Sequence, residues 1–222
     1  MVNLRKTALA ASLLCFAVSA NAVIFDFNSM AEAGGSHGES AWNPLTFTFA
    51  GVTLDITGSA SNDDDAVQYA YLDAGNAGLG TCKDLLDDTS ANTITNSGSN
   101  LCDPSNDDNI TTNEALHFVF TQDVIIENLW FNNNHDGGFD TGDKINIDGV
   151  VYDVTTGYAG DANGIGSFQV SAADSFDVSF FNEQFYLSAM EVRAAVPVPG
   201  TLMLMGLGLA GIGFSRRISR QG

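Results

Sequence analysis

The chain has 222 residues and a formal net charge of −19, and its charges are unevenly distributed. Five of the eight basic residues lie near the two ends, whereas all 27 acidic residues lie between positions 26 and 191. Only three basic residues accompany these acids, which leaves the central part with a net charge of −24. Because phosphate backbones and anionic headgroups are bound by clustered Lys and Arg, this charge excludes nucleic acid as a partner.

The first 22 residues have the pattern of a secretory signal peptide. A basic pair at positions 5 and 6 precedes an apolar stretch at 8–18. Ala20-Asn21-Ala22 then places small residues where a signal peptidase cleaves. We therefore predict that residues 1–22 are a signal peptide and that the mature chain begins in an oxidising compartment outside the cytoplasm.

Residues 23–195, the body, show short segments in which apolar and polar side chains alternate, as they do in half-buried strands. Asp148-Gly149 is the strongest hairpin signal, because this dipeptide suits the left-handed turn that twisted strands require. Two further runs face each other across Asn182-Glu183. The segments that alternate or are continuously apolar lie at 45–49, 52–56, 116–120, 124–131, 145–154, 176–180 and 185–189. We expect some nine or ten short strands in the whole body, these segments among them, and no amphipathic helix of three turns. The fold class predicted is therefore all-β, an antiparallel β-sandwich of jelly-roll type.

Cys82 and Cys102 are the two cysteines that remain once the signal peptide is removed. An even pair in an oxidising compartment is most simply read as one disulfide, worth about 3 kcal/mol in the chain-entropy model. The alternatives are weaker, since no histidine lies nearby to complete a zinc site and a catalytic thiol would be open to oxidation.

Residues 196–222 form a tail that follows the body. Residues 196–214 carry no charge and would span about 28 Å as a helix, close to the thickness of a bilayer core. We predict a short transmembrane-like helix that holds the chain at the inner membrane, with the terminal arginines on the cytoplasmic side. An ordinary permanent anchor is the alternative.

The order of parts in this tail resembles the PEP-CTERM sorting signal, although Pro197-Val198-Pro199 replaces the family's Pro-Glu-Pro. The resemblance implies that an exosortase, a membrane enzyme that processes such tails, recognises the chain, and that the chain is linked to exopolysaccharide and biofilm matrix. The residues that carry it, besides the Leu/Met/Gly-rich segment at 202–213, are Pro197, Pro199, Gly200, Thr201, Arg216 and Arg217.

The body also resembles β-sandwich modules found ahead of such tails. The residues that carry this looser resemblance are, in order, Gly78-Leu79-Gly80-Thr81-Cys82, a second cysteine, Asp107-Asp108-Asn109 and Glu114-Ala115-Leu116-His117-Phe118. It supports the same fold class and adds no activity.

The loop at 132–143 has the ligand spacing of a calcium loop. Oxygen-bearing side chains stand at its positions 1, 3, 5, 9 and 12 and glycine stands at position 6. The predicted calcium ligands are Asn132, Asn134, Asp136, Asp140 and Asp143. The loop differs from an EF-hand at positions 1 and 12 and is flanked by strands, so a merely solvated hairpin loop is the alternative. The acidic runs at 63–65 and 103–108 would add ligands if the sandwich gathers these loops at one end.

Other signals are weaker. Gly34, Ser36 and Gly38 match the nucleophile elbow, but residues 28–41 offer neither the helix nor the parallel sheet that this motif needs, so we interpret them as a flexible loop.

His117 is expected to be partly exposed, because it points away from Leu116 and Phe118. Sugar-stacking faces could come from Trp42, Trp130, Tyr69, Tyr71 and Tyr158, with core packing as the alternative for Trp130.

These features predict an exported, non-enzymatic binding or structural module at the cell surface or in the exopolysaccharide matrix, stabilised by calcium. Its predicted partners are an exosortase-like enzyme, extracellular polysaccharide and the inner membrane. The alternative is a carbohydrate-active enzyme on a jelly roll, which would need two carboxylates about 5–10 Å apart across a cleft. Paired acids in an aromatic-lined groove would favour the enzyme, and acids at loop tips would favour the binding module.

Overall fold

The computed structural model describes residues 21–60, 68–86, 101–106 and 108–195. These residues belong to one compact unit, Ala20–Ala195. The acidic run at 63–65, the predicted tail at 196–222 and all but the last two residues of the predicted signal peptide lie outside them. No helix within the described ranges is long and apolar enough to cross a membrane.

The described residues contain thirteen strands and two short helices. In chain order the elements are β1 (Val23–Asp26), α1 (Phe27–Ala31), β2 (Ser40–Trp42), β3 (Leu45–Phe49), β4 (Val52–Ala60), β5 (Tyr69–Asp73), β6 (Gly78–Cys82), β7 (Glu114–Phe120), β8 (Val124–Asn132), a 3-10 helix (Asn134–Asp136), β9 (Lys144–Ile147), β10 (Val150–Asp153), β11 (Phe168–Val170), β12 (Ser175–Phe180) and β13 (Tyr186–Ala194).

All of the strand pairs are antiparallel, and the strands form two sheets. The seven-stranded sheet has the order β11-β8-β13-β6-β5-β2, with β1 also paired to β13. The six-stranded sheet has the order β10-β9-β12-β7-β4-β3. One hydrophobic core contains buried residues of both sheets, so the sheets pack as a sandwich. The all-β prediction is confirmed, whereas the jelly-roll connectivity is not.

The six-stranded sheet follows the predicted alternation. In β7, Leu116, Phe118 and Phe120 are buried, while His117 and Val119 between them are half-buried. Burying each large apolar side chain stabilises the fold by about 1.5–3 kcal/mol. This sheet therefore presents an apolar face to the core and a polar face to solvent.

Two hairpins in this sheet use two-residue turns. Asp148 and Gly149, with φ of 50° and 81°, join β9 to β10, and this confirms the predicted hairpin. Ala50 and Gly51, with φ of 46° and 81°, join β3 to β4 in the same way. Positive φ at both positions matches the twist of the flanking strands.

The runs on either side of Asn182-Glu183 do not pair with each other. β12 pairs with β7 and β9 in the six-stranded sheet, whereas β13 pairs with β8, β6 and β1 in the seven-stranded sheet. Their apolar side chains instead join one core between the sheets. Alternation alone does not distinguish a hairpin from a chain that crosses between sheets.

Residues 28–41, which were expected to be a loop, contain most of a short helix and the start of β2. Asp26 caps α1, because its Oδ1 accepts a hydrogen bond from Ser29 N at 3.0 Å. Phe27 and Ala31 are buried in the core. The helix comes before the Gly34-Ser36-Gly38 motif, whereas a nucleophile elbow needs a helix after it.

Both faces of β5 and β6 are covered. Ala70 and Leu72 of β5 face the main core, while Tyr69 and Tyr71 face outward and are nevertheless buried. They form a second apolar cluster with Ala41 and the predicted disulfide between Cys82 and Cys102, which is present. At β5 and β6 the outer face of the seven-stranded sheet is therefore buried, and the candidate site lies at this part of the sheet.

Candidate functional site

The segment 108–110 packs against β6 of the seven-stranded sheet and against Phe185, which precedes β13. A Cβ atom at Gly80 of β6 would lie 2.0 Å from Asp108 O, so only glycine allows this approach. Thr81 Oγ1 donates a hydrogen bond to Asn109 O at 3.0 Å, and Ile110 N donates to Phe185 O at 2.9 Å. These contacts hold Asp108 against the sheet.

Asp73, Asp108 and His135 converge at this place. Asp73 ends β5, Asp108 comes from the segment 108–110, and His135 lies in the 3-10 helix after β8. One ligand atom of each lies within 4.8 Å of the others. Asp73 and Asp108 are each only 4% exposed, whereas the His135 side chain is 45% exposed. The cluster is thus buried on its carboxylate side and open to solvent on its imidazole side.

Tyr186, at the start of β13, contacts two members of the cluster, Asp108 and His135. Its hydroxyl donates a hydrogen bond of 2.6 Å to Asp108 Oδ1 and lies 3.4 Å from His135 Nδ1. Burial and the adjacent Asp108 carboxylate raise the pKa of the Tyr186 phenol, which therefore stays a neutral donor.

The two carboxyl groups are poorly compensated. Burial and the neighbouring Asp108 charge raise the pKa of Asp73 to about 7, against a lowering effect of His135. Burial raises the pKa of Asp108 as well, although the Tyr186 hydrogen bond and His135 oppose the change. Asp73 Oδ2 is buried and accepts no well-aligned hydrogen bond, although His135 Nδ1 lies 3.0 Å away. The arrangement therefore favours a bound positive charge, either a proton or a cation.

Further negative charge lies around the cluster. Asp136 Oδ2 accepts a hydrogen bond from Asn109 Nδ2 at 2.9 Å, and its charge contributes to the raised pKa of Asp108. Glu39, which accepts a hydrogen bond from Tyr71 OH at 2.9 Å, contributes in the same way to Asp73. Two of the three basic residues of the body pair elsewhere, Lys144 with Asp153 and Arg193 with Glu127.

The five predicted calcium ligands take part in separate hydrogen bonds. Asn132 Oδ1 accepts a hydrogen bond from Asn134 N at 3.3 Å, and Asp143 Oδ2 accepts one from Asp140 N at 2.5 Å. Asp136 is instead turned toward Asn109. Calcium binding by this loop stays a prediction. The gathering of acidic segments at one place is partly seen, because Asp108 of the run at 103–108 joins His135 of the loop.

Sequence reasoning missed Asp73 and Tyr186. Both belong to strands that are buried on both faces, so no polar alternation marks them. The available signal was the spacing of Tyr69, Tyr71 and Asp73, which places a carboxylate on the same strand face as two aromatic rings.

Three of the five candidate sugar-stacking residues are buried. Trp130, Tyr69 and Tyr71 are packed inside the body and present no ring face to a sugar in solution. Trp130 is buried, as its alternative required, but on the face of β8 opposite Leu129 and Phe131, where its Nε1 donates a hydrogen bond to Asp161 O. Trp42 is half-buried and donates Nε1 to Ser40 Oγ, and Tyr158 accepts a hydrogen bond from Asn134.

A groove of about 520 Å³ lies on the outer side of the six-stranded sheet. Phe181, whose side chain is 48% exposed, stands at its edge. Beside it, Asp177 Oδ1 lies 2.6 Å from His117 Nδ1. His117 is partly exposed as predicted. The groove lining includes Ser59, Asn113, Glu114, Asp177, Ser179 and Phe181.

The acids of this groove are not arranged as a pair. Glu114 shares the inward face of β7 with Leu116, and its Oε2 accepts hydrogen bonds of 2.8 Å from Thr111 N and Oγ1. Asp177 lies opposite His117 and shares its outward face. The two carboxylates therefore point to opposite faces of the sheet.

Comparison with known proteins identifies one part of the chain. Residues 195–217 match the family model of the PEP-CTERM protein-sorting motif. The match includes all six predicted sorting residues, from Pro197 to Arg217, with Pro-Val-Pro in place of Pro-Glu-Pro. No curated protein and no solved structure matches the chain. The chain therefore carries a PEP-CTERM protein-sorting motif behind a β-rich body, which implies export and membrane-associated sorting by an exosortase-type enzyme.

Proposed function

We propose that the protein is a non-enzymatic binding module that is delivered to the cell surface or the exopolysaccharide matrix, where it binds polysaccharide. The observation that carries the proposal is the sorting motif at 195–217, placed directly after a disulfide-linked β-sandwich. A disulfide is stable in the oxidising compartments that an exported chain enters. In this proposal the tail holds the chain at the inner membrane until the exosortase-type enzyme processes it.

The charge of the body supports a neutral polysaccharide as the ligand. A net charge of −24 on residues 23–195 repels anionic polymers at low ionic strength. Neutral sugars are bound through hydroxyl hydrogen bonds and stacking on aromatic rings, which need no basic patch.

The groove on the six-stranded sheet offers these two kinds of contact. Phe181 provides an exposed ring, and Ser59, Asn113 and Ser179 provide hydrogen-bonding side chains beside it. Glu114 and Asp177 lie on opposite faces of the sheet and are both engaged by protein donors. This arrangement favours binding over glycoside hydrolysis, which needs two carboxylates on either side of one bond.

Affinity electrophoresis of the full chain in detergent, through gels that contain individual neutral polysaccharides, tests the ligand. We expect at least one polysaccharide to retard the protein, and Phe181→Ala to abolish the retardation. Val150→Ala is the matched control, since Val150 is an exposed apolar residue of the same sheet, 53% exposed, outside the groove. Equal retardation of Phe181→Ala and the wild type, or no retardation by any polysaccharide, contradicts the binding role.

Cell fractionation tests the delivery. We expect the full chain to reach the surface or extracellular fraction, and a chain lacking residues 195–217 to remain in the periplasm. The chain with Arg216 and Arg217 both replaced by Ala should be delivered less efficiently. Surface delivery that is unchanged without the motif would exclude exosortase-dependent sorting.

Calcium is part of the same proposal, as a stabiliser of the loop at 132–143. A ligand that binds only the folded state adds about 2.7 kcal/mol to the free energy of unfolding when its concentration is 100 times its Kd. The melting temperature rises as a result. Calcium should therefore raise the melting temperature of the wild type above its value in chelator, and raise that of Asp140→Asn less. Asp174→Asn, an exposed loop substitution on another part of the body, is the control. An equal melting temperature with calcium and with chelator eliminates this part of the proposal.

A further inference from the structure

We propose that Asp73, Asp108 and His135 bind one divalent first-row transition-metal ion, of which zinc fits best. The site takes His135 from the loop at 132–143 but uses none of the five residues predicted to bind calcium, and it is separate from the groove on the six-stranded sheet. Asp136, one of those five residues, lies beside the site and is hydrogen-bonded to Asn109.

The first argument is the state of Asp73. This residue is 4% exposed, and its buried Oδ2 accepts no well-aligned hydrogen bond. The same oxygen points into the cluster, because it lies 3.0 Å from His135 Nδ1. A buried carboxylate oxygen that lacks a well-aligned donor is costly, and a metal ion in contact with it removes the cost.

The second argument is the local charge. Asp108 is buried beside Asp73, and Glu39 and Asp136 add negative charge from two other segments. Lys144 and Arg193 form their ion pairs elsewhere, and His135 is the basic side chain within the cluster. Like charges held this close are destabilising, and a divalent ion would neutralise both buried carboxylates at once.

The third argument is the geometry. Ligands about 2.1 Å from a tetrahedral zinc ion lie about 3.4 Å from one another. The three ligand atoms lie within 4.8 Å of one another, and Asp73 Oδ2 and His135 Nδ1 are 3.0 Å apart. Small side-chain rotations therefore suffice. Three protein ligands leave a fourth position, on the side where His135 is exposed, for water or an exogenous ligand.

The neighbouring residues suit such a site. Asp108 Oδ1 accepts the hydrogen bond from Tyr186, which orients the carboxylate and leaves its second oxygen for an ion. Ligating carboxylates in metal sites are usually held in this way.

The ligand types determine which metal is expected. Calcium and magnesium prefer oxygen ligands, and calcium takes six to eight of them. One imidazole with two carboxylates instead suits zinc and other first-row divalent ions. We therefore expect zinc to bind here more tightly than calcium.

Isothermal titration of the metal-free full chain in detergent with Zn²⁺ alone tests the site. We expect one ion per chain, and at least tenfold weaker binding by Asp108→Asn and by His135→Gln. His117→Gln is the matched control, because His117 also lies 2.6 Å from an aspartate, Asp177. That pair is exposed, and among the described residues it does not belong to a group of three possible metal ligands. Zinc binding by His117→Gln should equal that of the wild type.

A second measurement keeps the proposal testable if a variant fails to fold. X-ray absorption of the zinc-loaded wild type should show a first shell of nitrogen and oxygen with one imidazole. Absence of 1:1 zinc binding by the folded wild type overturns the proposal, as does unchanged binding by His135→Gln or a loss of binding by His117→Gln. Calcium that binds this site more tightly than zinc overturns it as well. None of these outcomes depends on polysaccharide binding or on sorting.

Discussion

The protein contains two histidine–aspartate contacts in very different surroundings. His117 and Asp177 lie 2.6 Å apart on the outer side of the six-stranded sheet, with side chains 38% and 53% exposed. His135 and Asp73 lie 3.0 Å apart at the seven-stranded sheet, where the Asp73 side chain is 5% exposed and Asp108 lies beside it. The two pairs share residue types and differ in burial and in the number of carboxylates.

This difference shows that the covering of a sheet, more than the identity of a pair, creates a candidate site. An exposed pair such as His117–Asp177 is screened by water and contributes about 0–1 kcal/mol. At the seven-stranded sheet, the segment 108–110 excludes water, brings a second carboxylate, and raises the pKa of both acids. Three changes should each make the buried cluster more like the exposed pair. They are displacement of the segment 108–110, loss of the Tyr186 hydroxyl that donates to Asp108, and loss of the Asp73 carboxylate.

The largest effect is expected from Gly80→Ala, which should displace the segment 108–110. Because the new Cβ would lie 2.0 Å from Asp108 O, the segment 108–110 must shift, at a cost of about 3 kcal/mol. Urea denaturation measures the free energy of unfolding. Gly149→Ala, in the exposed turn between β9 and β10 with φ of 81°, should cost only about 1 kcal/mol. Equal losses in the two variants would mean that the segment does not pack on β6 as described.

A smaller effect is expected from Tyr186→Phe, which removes the donor to Asp108. The buried carboxylate would lose its 2.6 Å hydrogen bond, and stability should fall by about 1–3 kcal/mol. Tyr158→Phe is the control, since this half-buried phenol contacts Asn134 at the surface, and it should cost about 0.5 kcal/mol or less. The same urea titrations compare them, and a Tyr186→Phe value as small as the control would contradict the burial of the Asp108 contact.

The smallest effect is expected from the pH dependence that Asp73 adds to the metal-free protein. Folding raises the pKa of Asp73 from 3.8 to about 7, so the folded state holds this proton more tightly than the unfolded state does. Its favourable contribution is therefore present at acidic pH and is lost as the pH rises through about 7. In chelator, Asp73→Asn should gain stability relative to the wild type between pH 5 and pH 8.

Asp177→Asn serves as the charge-matched control for this measurement, because it removes one carboxylate from the exposed pair. Thermal melts of the three proteins across the pH range provide the comparison. A wild-type stability curve parallel to that of Asp73→Asn would show that Asp73 ionises in the folded state as it does in the unfolded state.

Alternation in the sequence predicted the six-stranded sheet well. β3, β4, β7, β9 and β12 each have one buried and one solvent-facing side, so polar residues mark every second position. β5 and β6 were not predicted, because Tyr69–Asp73 and Gly78–Cys82 are buried on both faces and no period of two appears. The short strands β1, β2 and β11 and the five-residue helix α1 offered too few residues for a pattern.

The candidate metal site was predictable only in part. Asp136 was predicted as a ligand from the spacing of the loop at 132–143, and the run containing Asp108 was recognised as a source of further ligands. His135 lies in the same loop but was not predicted as a ligand. Asp73 lies far from both in the chain, and its approach depends on the order of strands in the sheet, which side-chain periodicity does not encode.

Local sequence patterns were enough to recognise the sorting motif, the cysteine pair and most of the strands of the six-stranded sheet. The termini, the paired cysteines and the alternating segments are local patterns, and each is recognised from neighbouring residues alone. Which carboxylates share a buried position, and which histidine they meet, depends on how the folded segments pack together. Burial of charge depends on long-range packing, here on Gly80 admitting the backbone of Asp108, and this packing exists only once both sheets have formed.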